Sequence, residues 1–496
     1  MLLRWVVVSL LFYGVSCAAQ EESKVIAPSI TIAIDNTPNT FNPFSTDDLM
    51  SQPFRHLLFD PLFRWGHNNQ LETRLVEKWK RLDNKTVRFY LRQKVRFHSG
   101  NKLTTQDVIW SFEQAPKKLN SILFNHIESI KQRSSYSFDI KSDLSDIQLL
   151  DYLTSIFILD YGFYKKNIGL LNTAAPILLP PIETLPASGT GPYIVHQYNP
   201  SLGLEVEVNK KYWDTRPEFE YIRFMRVNKA QSRLFALLAD DVQISYGIPN
   251  KEIDDIPRNT SKRIVKVSTS NAVFLTMNDK FSAVLKNEKA REAIRFAINQ
   301  QGMLQHILKG SGRVDIPFLS LSERKPQDAN EVSRLQPTAM EYNIQKSKKI
   351  LKSIQLPKQL SMLVMQDDLG NTEEIAEALV QMLHKIGVQV LTQKTTSKDI
   401  WDKTNLNYDL TLFAWQTRLM NRQNIYENLF LNSPLTGYLH EKFKQQEIGD
   451  DVKLQAEYFE LLQREHWISP LFSQDEIWIE EGSFNLQNIF STNGIP

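Results

Sequence analysis

The chain has 496 residues, 42% of them hydrophobic and 23% charged. That length suits two or three domains, and that balance excludes a disordered chain. With 58 Lys and Arg against 56 Asp and Glu the net charge is +2, so no global field favours nucleic acid and no nucleic-acid partner is expected.

The first residues, "MLLRWVVVSLLFYGVSCAAQEES", read as a secretory leader. Arg4 supplies a positive start, Trp5 to Val15 an apolar core, and Ser16 to Ala19 a small-residue cleavage zone. Residues 1–19 are therefore expected to be a signal peptide, and the mature protein periplasmic. Cys17 is the only cysteine, so disulfides and thiolate metal sites are excluded from the mature fold. The alternative to cleavage after Ala18 or Ala19 is a lipoprotein anchored at Cys17.

In "TVRFYLRQKVRF" residues alternate as in a strand, broken at Gln93. "HSGN" (98–101) follows as a turn, and Thr104 or Thr105 caps a helix carrying Val108, Ile109, Trp110 and Phe112. His98, between basic residues and a glycine turn, raises the question of an active-site group and is read as a turn histidine. "ILLPPIETLPASGTGPY" (177–193) marks a crossing between structural units. "LEVEVNKKYW" and "YIRFMRV" read as paired strands, "SRLFALLAD" as a helix, and "DVQISYGI" as a strand.

"KNEKAREAIRFAINQQGMLQHILKG" reads as a helix with Ala290, Ile294, Ala297, Ile298, Leu304 and Ile307 near one face, stopped by Gly310 and Gly312. The last third alternates: strand "QLSMLVMQ", a helix from Asn371 or Thr372 to Gly387, strands "VQVLTQKT" and "YDLTLFAW", and a helix through "KLQAEYFELLQREH". This alternation predicts a largely parallel sheet with helices on both faces. Ligands in such sheets sit beyond the strand carboxyl ends, near loops such as that after Trp415.

Catalytic templates are missing. HExxH, GxSxG and the phosphate loop are absent, and nine scattered histidines show no ligand spacing. The acidic pairs Asp240-Asp241 and Glu373-Glu374 read as a solvated loop and a helix start. No enzyme activity, metal or cofactor is expected.

The ordered set "ITIAIDNTPNTFNPFSTDD", "RFHSGNKLTTQDV", "GTGPY", "VNKKYW", "SRLFALLADDVQI", "EKAREAIRFAINQQGML" and "YDLTLFAW" resembles the family 5 extracellular solute-binding proteins of ABC importers, the dipeptide, oligopeptide and nickel receptors. The resemblance implies a two-lobed α/β clamp that closes around a ligand. It implies a discontinuous first lobe (20–60, 183–272 and a return at 470–496), an inserted small α+β domain (61–182) and a second lobe (273–469). Without its acidic motif, the chain also resembles the solute-binding-like domain of sugar-phosphate-stress regulators, which carry a DNA-binding domain where this chain has a leader. It further resembles the antimicrobial-peptide-resistance receptors.

In the peptide receptors an Asp three residues after the Trp matching Trp415 grips the ligand's ammonium. Here that position is Arg418, which would repel an ammonium, so free-amine peptides are doubtful ligands. Arg418 or Arg422 could instead fork a carboxylate or phosphate, with Trp415 and Tyr246 as stacking surfaces and Gln416 and Thr417 beside them. Asn278 is read as a strand cap. The expected protein is a monomeric receptor that takes a peptide-like or other small polar solute to ABC permease subunits in the inner membrane. The alternative is a transport-independent sensor with the same clamp, binding a sugar or anionic ligand.

Overall fold

The computed structural model describes residues 28–38, 41–44, 51–65, 71–115, 126–168, 187–267, 271–278, 281–314, 340–354, 359–365, 371–395, 407–416, 466 and 468–482. The described chain opens on β1 (Ser29–Ile34), whose Ile30, Ile32 and Ile34 are all buried. A hairpin of β2 (Phe63–Trp65) and β3 (Leu71–Thr73) follows. Then β4 (Val76–Arg81), β5 (Thr86–Leu91), β6 (Ile127–Ser134) and β7 (Ser137–Ser142) form an antiparallel sheet in the order β4-β5-β7-β6. Val87, Phe89, Leu91, Phe138 and Ile140 point to the core, as the two-residue period demands.

β5 stops at Leu91, short of the strand expected through Phe97. Gln93 and Lys94 turn instead, where the alternation breaks. Helix Thr105–Gln114 starts at Thr104, whose N–H and hydroxyl both donate to Asp107 at 2.8 Å. Burial pushes the Asp107 carboxyl up to about 6.

Strands β8 (Tyr193–Asn199), β9 (Gly203–Val208), β10 (Tyr221–Arg226), β11 (Ile244–Tyr246) and β12 (Lys262–Val267) come next. They are followed by β13 (Asn271–Met277), β14 (Gly312–Arg313), β15 (Gln359–Met365), β16 (Gln389–Thr395), β17 (Leu410–Gln416), β18 (Ile468–Gln474) and β19 (Glu476–Glu481). The first large sheet has seven strands, β12-β19-β11-β1-β10-β9-β8, and the second has six, β14-β18-β13-β17-β15-β16. The expected pair β9 and β10 is antiparallel, with Tyr221 opposite Glu207. β18 stays in the second sheet through Gln474, so the return to the first sheet falls at Asp475 rather than at 470.

The parallel sheet expected from the last third is found in β15, β16 and β17, whereas the two large sheets taken whole are mixed. Among the described residues, parallel pairing joins β1 with β10 and β11, and β15 with β16 and β17. Helices 230–238 and 372–384 precede β11 and β16 and supply crossovers. The hairpins β8-β9-β10 and the returning strands β18 and β19 run antiparallel. The helix expected across 286–310 is two, Glu288–Ala297 and Gln300–His306, split where the Asn299 side chain accepts from Gly302 N at 2.8 Å. The helix expected through "KLQAEYFELLQREH" lies outside the described residues apart from His466.

One contiguous core joins the first sheet to β4-β5-β7-β6, running from Ile30 and Ile32 through Phe89 and Phe138 to Val206. A second core fills the other lobe around Leu275, Met362, Leu379 and Leu412. The small sheet is also tied to the first by a buried ion network. Arg74 donates to Asp60 at 2.8 Å, Asp214 at 2.5 Å and Tyr212 at 2.5 Å, while Trp213 and Thr190 each donate to Asp60 at 3.0 Å. Burial works against the Arg74 charge, but Asp60 and its neighbours outweigh it and raise the pKa.

Candidate functional site

The carboxyl-terminal edges of the two large sheets meet because of how the chain crosses between them. Val267 pairs with Glu476 and Tyr246 with Trp478, so β12 ends on the same sheet edge as β11. Asn271 pairs with Gln416, so β13 begins on the edge where β17 ends. Residues 268–270 join these two edges, and Asp475 alone joins Gln474 to Glu476 on the way back. These two chain crossings connect neighbouring strands of one sheet to neighbouring strands of the other, edge to edge.

Ion pairs also span the lobes. Lys251, in the turn after β11, lies 3.4 Å from Glu374 in the first turn of helix Thr372–His384. Asp254 of the same turn lies 2.9 Å from Lys309. Lys266 Nζ donates to Gly310 O at 3.4 Å.

On the first edge Tyr246 is half-buried, its ring centroid 4.6 Å from that of Trp478. Its carbonyl accepts from Arg233 Nε at 3.0 Å. Arg233 spends its other donors on the carbonyls of Val227, Asn228 and Gly247, at 2.8, 3.0 and 2.7 Å. Burial pulls its pKa down, against Asp35 and Tyr246. A guanidinium consumed by four carbonyls braces the edge and is not a ligand donor. Asp35 follows β1, half-buried, and its Oδ1 has no hydrogen-bond partner among the described residues.

On the second edge the backbones of Trp415 and Gln416 close β17, Trp415 opposite Ala272; their side chains lie outside the described set. Thr417, Arg418 and Arg422 lie outside the described residues. Asn278, just after β13, accepts from Phe281 N through its Oδ1 at 3.2 Å.

His98 sits far in chemistry from a reacting group. Gly189 N–H points to Nδ1 at 3.3 Å, so Nε2 carries the proton and donates to Gly191 O at 3.0 Å. His98 N also donates to Gly189 O at 2.8 Å. Burial lowers its pKa and keeps it neutral. The rest of the turn is anchored on Asp160, which accepts from Ser99 at 2.5 Å, Asn101 at 2.9 Å and Ser188 at 2.8 Å. The glycines are needed here, since a Cβ at Gly189 or Gly191 would collide with the carbonyl of Leu58 or Leu57. His98 bolts the small sheet's turn to the "GTGPY" crossing.

Two α/β lobes joined by a double crossing define a clamp of the periplasmic-binding-protein type. A model of bacterial extracellular solute-binding proteins, family 5, middle region, matches residues 70–436, and the chain belongs to this family. The nickel-binding protein NikA of Staphylococcus aureus is 21% identical over 391 residues, 78% of this chain and 74% of NikA. The oligopeptide-binding protein AppA of Bacillus subtilis is 22% identical over 416 residues, 76% of this chain and 72% of AppA. The solved structure of NikA from Brucella suis in complex with Fe(III)-EDTA has a TM-score of 0.76 at 16% identity, covering 92% of this chain and 95% of that one.

Reading the sequence brought out Tyr246 but missed Trp478, its ring partner, and Arg233, its brace. A lone Arg in the apolar helix "SRLFALL" was the available signal. Trp478 offered only the alternation of "EIWIEE".

Proposed function

We propose that this chain is the receptor of an ABC import system, closing its two lobes on a small polar or peptide-like solute and offering the closed clamp to a membrane permease. The observation that carries this reading is the pair of chain crossings that connect the two sheets edge to edge. The clamp does no chemistry on its solute, and it works outside the cytoplasm after removal of the leader.

The two named relatives take a metal ion and peptides, so the ligand class has to come from this chain's own residues. Tyr246 with Trp478 makes an aromatic wall on one lobe. From the sequence, Trp415, Gln416 and Thr417 are proposed to meet the solute from the other lobe, with Arg418 and Arg422 as forks for an anionic group. The charge at Arg418 disfavours a free amino terminus and favours a carboxylate or phosphate on the solute. A thermal-shift screen of blocked peptides, free peptides and organic acids tests this. Anionic or amine-blocked compounds are expected to raise the melting temperature, and Arg418→Asp to reverse the order. A screen in which free-amine peptides win, with no change in the variant, overturns the assignment.

A further inference from the structure

The outer face of the β4-β5-β7-β6 sheet is unusual in its charge. Phe89, Phe138, Val87 and Ile140 fill the inner face, so the alternate residues point outward. Register places Lys80, Arg88, Asp139 and Lys131 in one row across the four strands, and Lys78, Tyr90 and Ser137 in the next. Lys141 and Arg133 complete the face, and Lys85 stands at its edge.

Its carboxylates are already spent. Asp139 lies between Arg88 at 2.7 Å and Arg133 at 2.6 Å, and Glu128 between Lys85 at 2.9 Å and Lys141 at 2.6 Å. Seven cations against these two carboxylates leave a surplus of five positive charges. The whole chain carries only +2, so the surplus is concentrated here. Bordering acids offset part of this surplus: Asp83 acts on Lys141 and Asp143 on Lys85, while Asp146 accepts from Arg81. Glu77 stands exposed at the β4 bulge. Beyond the other end of β5, Lys94, Arg96 and Lys102 are exposed and extend the basic field.

We propose that this face docks on the anionic headgroups of a phospholipid bilayer. Lys78, Lys80 and Lys131 are exposed, and no described carboxylate bridges them. Protein interfaces are depleted in Lys and centred on apolar anchors. This face has neither such composition nor such a centre: its one aromatic, Tyr90, lies under Lys78 Nζ at 5.1 Å. Flexible ammoniums spread over a sheet suit a plane of phosphates. Docking would hold the clamp at the membrane surface by charge alone, with nothing inserted.

The test is flotation with vesicles of phosphatidylcholine alone or with about one third phosphatidylglycerol. The chain is purified from an export-competent host and carries Cys17→Ser, so that no acyl chain contributes. Binding is expected only to the anionic vesicles, and to vanish at about 0.5 M salt, where screening is short-ranged. The triple variant Lys78→Gln, Lys80→Gln, Lys131→Gln leaves every ion pair named above intact and removes only the Lys78–Tyr90 contact. It should bind roughly a hundredfold more weakly, about fivefold per lysine. Lys346→Gln, Lys348→Gln, Lys349→Gln on helix Ile344–Lys352 of the other lobe serves as control and should bind as wild type. Equal binding to neutral vesicles, no binding at low salt, unchanged binding by the first variant, or equal loss in the control would each overturn the proposal. So would capture of an acidic protein by this face while anionic vesicles are ignored.

Discussion

Replacing Arg74 with Met removes the cation from the network that ties the small sheet to the first lobe. Arg74 is 4% exposed and Asp60 2% exposed, so the variant leaves a buried carboxylate without its counter-charge. Breaking such a pair costs about 3–5 kcal/mol. Thr190 and Trp213 still donate to Asp60 at 3.0 Å each, and Asp214, 39% exposed, is free to solvate. The lower end, about 3 kcal/mol, is therefore expected. Adding Asp60→Asn removes the stranded charge and should recover about half of that loss. Urea unfolding followed by tryptophan fluorescence is the assay, since the Trp213 ring lies 4.6 Å from the Arg74 guanidinium carbon. A loss below about 1 kcal/mol in Arg74→Met, or no recovery in the double variant, would refute a buried, structurally committed ion pair.

Acid should weaken the fold through His56. Burial, then Arg55, lowers His56 to about 3, while the unfolded chain takes up that proton near 6.5. Stability is therefore full above about 6.5 and lost as pH falls towards 3, roughly 2 kcal/mol of it by pH 5. Asp107, raised to about 6 by burial, acts in the opposite sense, so the comparison is made against His56→Gln, whose loss between pH 7 and 5 should be smaller by that amount. An identical pH dependence in the variant contradicts the assignment. The cross-lobe pairs Lys251–Glu374 and Lys309–Asp254 are half-exposed to exposed, each contributing about 0.2–1 kcal/mol. Lys251→Glu with Lys309→Glu should open the clamp, seen as a larger radius of gyration in X-ray scattering, and a radius equal to wild type would show that these pairs do not hold the lobes.

Sequence patterns carried the local elements and the family, while pairing across distance stayed hidden. Helix Thr372–His384 and its stop at Gly387, with φ of +88°, were legible because periodicity and a left-handed glycine are local signals. The antiparallel returns of β18 and β19 were not, since the register of a strand depends on partners far along the chain. The split at Asn299 was written in "INQQG", where Asn caps a new helix, but the apolar face ran through it. Tyr246 could be placed at a strand end from its motif; that Trp478 stacks on it is a property of pairing between β11 and β19.

The central claim, that the two edges close on one small solute, is tested most directly by native mass spectrometry of the protein purified without denaturation, alongside Tyr246→Ala. The account predicts one bound molecule of small mass per chain, released on unfolding, and depleted in the variant while its melting temperature in the ligand-free form stays within a few degrees of wild type. A chain that carries no solute and gains no thermal stability from any compound in the screen, or a variant that retains the solute undiminished, would contradict it.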